Sequence, residues 1–156
     1  MINVTIHSAG YEQGNSVINN IQFHIQPKEI VGLIGGNGAG KSTTIQTILQ
    51  TIPFFEGEIN IPTYGYVPER PIIYTYYTLR EHIHFLIELI GEDLWDNALE
   101  LCKLFRLHDH LDEYPTSFSK GMQQKVMLIL AFTPNYSFYI LDEPFMGLDP
   151  QAIRRL

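Results

Sequence analysis

A chain of 156 residues, 45% of them hydrophobic, has enough apolar mass for one core and too little for two. Charged residues at 17% and aromatics at 12% exclude a disordered chain. A net charge of −7 without any extended Lys/Arg run disfavours nucleic acid as the main partner, and the lone Cys102 excludes an internal disulfide.

Alternation in Ile2–Ile6 and again in Ile21–Ile25 predicts two half-buried strands around a Gly- and Asn-containing turn, an antiparallel opening. Ile30–Ile34 is instead a continuous apolar run that stops at a glycine cluster, the pattern of a strand buried on both faces. Ile45, Ile48, Leu49 and Ile52 then recur at helical spacing until Pro53. Leu79, Ile83, Leu86, Ile87 and Ile90 form a second helical stripe ending at Gly91, and Trp95, Ala98, Leu99, Cys102 and Phe105 form a third. A fourth helix is predicted from Ser119 through Val126, Ile129 and Leu130 to the Thr133-Pro134 stop, followed by a short buried strand over Phe138–Leu141. The longest apolar run, Val126 to Phe132, is far short of the roughly 20 residues that cross a bilayer. With no secretory pattern at the N-terminus, a cytoplasmic location is expected, and any membrane connection runs through a partner.

Gly35-Gly36-Asn37-Gly38-Ala39-Gly40-Lys41-Ser42 fits the G-x-x-x-x-G-K-[ST] phosphate-loop pattern between a predicted strand and a predicted helix. Glycines let successive N–H groups turn toward a β-phosphate, and the helix adds its positive end. Lys41 suits the β- and γ-phosphates as a mobile charge, and the Ser42 hydroxyl suits Mg²⁺. The bland alternative, a glycine-rich turn that binds nothing, does not explain the strand-to-helix context.

Asp142-Glu143-Pro144 follows the last strand, so two carboxylates emerge at a strand's C-terminal end, where open α/β sheets place ligands. Asp142 suits Mg²⁺ held through water. Glu143 suits the role of accepting a proton from, or orienting, a water that attacks the γ-phosphate. Alone the pair reads as a solvated acidic strand end; beside a phosphate loop it reads as the second half of a site.

The ordered set of the phosphate loop through Thr43, Ser119-Lys120-Gly121-Met122-Gln123-Gln124, Leu141-Asp142-Glu143-Pro144 and Gly147-Leu148-Asp149-Pro150 resembles the ABC ATPase family, from Tyr11 to the last residue. Phe118 to Met122 and Tyr66 to Glu69 look most like bacterial exporter subunits of the Ecs type. The resemblance implies an α/β fold: a P-loop NTPase core of ABC ATPase type with an N-terminal antiparallel β portion and an inserted helical subdomain. It divides the chain into 1–66 (antiparallel β and phosphate loop), 67–132 (the Glu69 segment and helical subdomain with the signature) and 133–156 (the Asp142 strand and the Asp149 loop). It further implies that ATP with Mg²⁺ is bound by residues 35–43, that Tyr11 stacks on adenine, and that Ser42, Asp142 and Glu69 serve the metal. Ser119 and Gly121 would cover the γ-phosphate held by a second ATPase subunit in a head-to-tail dimer, with Asp149 bridging the sites. The implied partners are that subunit, identical or not, and an integral-membrane transporter subunit at the cytoplasmic face of the membrane. Two other readings are a non-hydrolysing nucleotide-binding remnant and a soluble ABC ATPase acting on ribosomes or DNA.

The sequence departs from the family at Glu69, where a glutamine is usual: an ionised carboxylate can ligate the ion but donates no hydrogen bond. Lys120 and Met122 replace a small residue and a glutamine of the commonest signature. The connection from the first helix to Tyr66 is short, suggesting a trimmed antiparallel portion. The family continues past this length into a strand, between the phosphate-loop and Asp142 strands, that ends near a histidine contacting the γ-phosphate. His108 and His110 lie in the wrong region and read as exposed helix ends. Unpaired strand groups cost about 1–3 kcal/mol each when buried, so a fragment or a chain completed by another polypeptide is expected.

Pro71–Tyr77 is an aromatic-rich stretch where a transporter ATPase would receive a helix of its membrane subunit, with ordinary interlobe packing as the alternative. Cys102 reads as core, and His82 and His84, two apart, do not share a helix face as metal ligands would.

Overall fold

The computed structural model describes residues 1–144 in two compact units, one from Met1 to Thr63 and the other from Tyr64 onward. The first unit opens with β1 (Ile2–Gly10) and β2 (Ile18–Ile25), antiparallel with Ile6 opposite Ile21. This is the expected pair, longer at both strands. A third strand, β3 (Phe54–Asn60), adds antiparallel to the other side of β1, giving the order β2-β1-β3. The pairing shifts between Ile6 and Ser8, and Gly57 sits opposite Ile6 with φ of 149°. A β-carbon there would lie 2.1 Å from Thr5 O, so only glycine lets the two backbones approach at this irregularity.

Helix α1 (Lys41–Ile48) packs on β1, and Val4, Ile6, Ala9, Ile18, Ile48 and Ile52 are buried in this unit. Its inward face carries hydroxyls, which the helix satisfies internally: Thr44 donates to Gly40 O at 2.9 Å and Thr47 to Thr43 O at 2.7 Å. The helix ends earlier than its apolar spacing suggests. Thr51 donates through both its amide (2.9 Å) and its hydroxyl (3.1 Å) to Gln46 O, closing the last turn before Pro53.

Residues 30–34 do not form the expected buried strand. The segment lies in a stretch without regular structure, no described residue pairs with it, and Ile30 and Ile34 are 97% and 94% exposed. Apolar composition makes a strand only where a neighbour supplies hydrogen-bonding edges, and β1 takes both of its neighbours from β2 and β3.

In the second unit, α2 (Leu79–Ile90), α3 (Trp95–Leu104) and α4 (Lys120–Phe132) follow the three predicted stripes closely. Thr78 and Glu81 form a reciprocal capping box at the start of α2, and Gly91 ends it. Short 3₁₀ turns at His108–His110 and Pro115–Ser117 lead into α4. Leu79, Ile83, Cys102, Phe105, Val126 and Ile129 are among the residues that fill the core. Beside the helices, β4 (Gly65–Val67) and β5 (Tyr139–Leu141) pair in parallel, Tyr66 opposite Ile140. Only Ile140 of β5 is buried, so this strand is shorter and less enclosed than expected.

Candidate nucleotide site

In the first unit the chain between residue 35 and α1 is shaped by its glycines. The Ala39 amide donates to Gly36 O at 3.2 Å, closing a turn, and Gly40 stands at the helix N-cap with φ of 88°. A β-carbon on Gly40 would lie 2.5 Å from Ile18 Cγ2, so both the dihedral and the close approach to β2 select glycine. The first helical backbone bond is Thr44 N–H to Gly40 O, and no side chain caps the end. The amides of the first turn therefore point out of the helix as donors, an arrangement that attracts anions. Lys41 Nζ reaches back along the loop, donating to Gly35 O at 2.7 Å and Gly36 O at 3.0 Å. Ser42 is exposed in the same turn, and Thr43 beside it is buried.

Tyr11, in the β1–β2 turn, is 49% exposed, and its hydroxyl is tied to α1. The hydroxyl donates to Gln46 Oε1 at 2.7 Å and lies 3.4 Å from Thr43 Oγ1. Gln46 escaped the sequence reading, since nothing in the pattern links residues 35 positions apart.

The second unit holds the other candidates. Because β4 and β5 are parallel, Glu69 and Asp142 both follow the C-terminal ends of adjacent strands, and Asp142 N–H extends the ladder to Val67 O at 2.9 Å. The Tyr66 phenol senses both carboxylates: its pKa is raised first by burial, then by the negative charges of Asp142 and Glu69. Glu143 adopts φ of 49°, a left-handed conformation uncommon for a side chain of this type, which Lys28, Gln50 and Arg106 also adopt. Ser119 is the N-cap of α4, its hydroxyl accepting from Met122 N–H at 3.3 Å, and Gly121 lies in the helix's first turn. Buried Gln124, part of the signature run but given no role from the sequence, donates to Pro68 O at 3.4 Å and so ties α4 to the segment carrying Glu69. Asp149 lies outside the described residues.

Of the remaining singled-out groups, Ile72, Tyr74, Tyr76 and Tyr77 are exposed, with Tyr74 and Tyr77 packed against His82 and Phe85. His82 is buried as a bridge, accepting from Tyr74 N–H at 3.0 Å, with Nδ1 2.8 Å from Thr78 O. His84 stacks on Trp95 at 4.5 Å between ring centres. Cys102 is buried in the core, and burial pushes its thiol up to about 11. His108 and His110 lie in the 3₁₀ turn, where His110 Nδ1 is 3.0 Å from Glu113 Oε1.

The ABC transporter family model matches residues 18–146. The chain belongs to that family. It is 41% identical to the uncharacterized ABC transporter ATP-binding protein YthP of Bacillus subtilis, over 99% of this chain and 68% of that protein. With the ABC-type transporter ATP-binding protein EcsA of the same organism it shares 40% identity, over 100% of this chain and 69% of the relative. A solved ATP-binding subunit of an ABC transporter superposes with a TM-score of 0.91 at 36% identity, covering 99% of this chain and 71% of that one. The mixed α/β fold is thus that of ABC ATP-binding subunits, and ATP hydrolysis is the activity that family membership carries. Among the described residues, no helix of this ABC subunit is long and apolar enough to cross a membrane.

Proposed function

We propose that this chain is the ATP-hydrolysing subunit of a bacterial ABC exporter, coupling Mg·ATP binding and hydrolysis in a head-to-tail dimer to transport by separate membrane subunits. The observation that carries it is the loop of residues 35–42, with Gly40 in the left-handed region at the head of an uncapped helix and Lys41 folded along it. First-turn amides, that of Thr43 included, and Lys41 bind the β- and γ-phosphates, and Tyr11 supports the adenine. Asp142 and Glu69 suit Mg²⁺ by donor chemistry, since carboxylates are hard oxygen ligands, and the Ser42 hydroxyl is a donor of the same kind. Mg²⁺, when bound, withdraws charge from the phosphate oxygens. Glu143 takes the proton from the attacking water.

Ser119 and Gly121 face a γ-phosphate held by a second subunit, identical or not, and the exposed tyrosines of 72–77 receive the membrane subunit at the cytoplasmic face. The resemblance to exporters and the similarity to EcsA support this reading. Steady-state release of phosphate from Mg·ATP tests it. Turnover per subunit should rise with protein concentration, because each signature acts on a partner's nucleotide. Stoichiometric Mg·ATP binding without turnover at any concentration would replace it with a non-hydrolysing, nucleotide-binding role.

A further inference from the structure

Tyr11 is half-exposed directly after β1, at the start of the turn to β2, yet a stacking platform works only if its ring waits in the right place. The structure supplies the restraint. Its hydroxyl donates to Gln46 Oε1 at 2.7 Å and lies 3.4 Å from Thr43 Oγ1, and the backbone of Gln46 is fixed in α1, its main-chain carbonyl accepting both the amide and the hydroxyl of Thr51. Gln46 sits three residues after Thr43 on the same face of α1, one turn beyond the end that carries the phosphate-binding amides. We propose that Gln46 is a positioning residue that fixes the Tyr11 ring, and with it the distance from adenine platform to phosphate loop. Base and triphosphate are thereby bound by one rigid piece, although the two halves lie 35 residues apart in sequence.

This inference rests on the reading of Tyr11 as the adenine platform, and the experiment separates the two. A free tyrosine must be ordered when nucleotide binds, a loss of about three- to tenfold in affinity for one immobilised side chain. The dissociation constants of Mg·ATP and of Mg·tripolyphosphate, which lacks a base, are measured for the whole chain. Gln46→Leu and Tyr11→Phe, which remove acceptor and donor, are expected to weaken ATP by that factor and leave tripolyphosphate unchanged. Gln46→Glu, which keeps the acceptor oxygen, restores ATP affinity, and Gln46→Leu adds nothing in the Tyr11→Phe background.

Tyr11→Ala is the control on the platform, expected to lose more ATP affinity than Tyr11→Phe with tripolyphosphate again unaffected. If Tyr11→Ala weakens ATP while Gln46→Leu and Tyr11→Phe bind as the parent does, positioning is overturned and the platform stands. If Tyr11→Ala has no effect, both fall. Equal loss for ATP and tripolyphosphate in Gln46→Leu means damage to α1 and overturns the proposal as well.

Discussion

Replacing Lys41 by alanine removes an ammonium whose two present partners are the carbonyls of Gly35 (2.7 Å) and Gly36 (3.0 Å), both exposed. When Mg·ATP binds, those donors turn to β- and γ-phosphate oxygens. Two charge-assisted bonds contribute about 3–6 kcal/mol together, offset by about 1–2 kcal/mol for releasing two solvent-exposed carbonyl contacts. The net of about 1–5 kcal/mol corresponds to about a 5- to 5000-fold rise in the dissociation constant. Titration calorimetry with Mg·ATP reads this directly. The thermal midpoint should move by less than about 2 °C, because only exposed loop bonds are lost. A dissociation constant within threefold of the parent's, from a variant that unfolds normally, would falsify the assignment of Lys41 to the phosphates.

Glu143→Gln should bind Mg·ATP as the parent does while turnover drops by about 10²–10⁴-fold, the usual range for a lost general base; undiminished phosphate release removes Glu143 from that role. Glu143→Gly should be equally inactive yet about 0.5–1 kcal/mol more stable to urea, since the left-handed φ of 49° suits glycine; a lower midpoint contradicts the strain. A β-carbon at Gly65 would lie 2.6 Å from Tyr139 Cδ1 and 2.8 Å from Ala131 O, so Gly65→Ala should destabilise the second unit by about 1–3 kcal/mol. An unchanged urea midpoint would mean that β4 and β5 pack more loosely than described. Cys102, raised from 9.0 to about 11 by burial, should resist Ellman's reagent at pH 8 when folded and react at once in urea, with about a hundredfold less thiolate in the folded state. Its neutral thiol favours the fold below pH 9, and that contribution is lost as pH rises through 11, so alkaline titration should lower the unfolding midpoint in the parent more than in Cys102→Ala.

Features that depend on neighbours in sequence were legible from the sequence alone. The end of α2 at Gly91, the start of α4 at Ser119 and the three apolar stripes follow from caps and 3.6-residue spacing, which act within a turn or two. The phosphate loop was legible for the same reason, because its shape depends on which residues tolerate the dihedrals at Gly38 and Gly40. Pairing and positioning across distance were decided only in three dimensions. Residues 30–34 have the composition of a buried strand and no strand partner among the described residues, while exposed Phe54–Asn60 becomes a strand because β1 offers it an edge. The tie between Tyr11 and Gln46, the placing of Glu69 and Asp142 after the ends of adjacent parallel strands, and the left-handed turn at Glu143 leave no periodic trace. Strand partners and long-range hydrogen bonds are chosen by which backbone and side-chain groups the whole packing brings within about 3 Å.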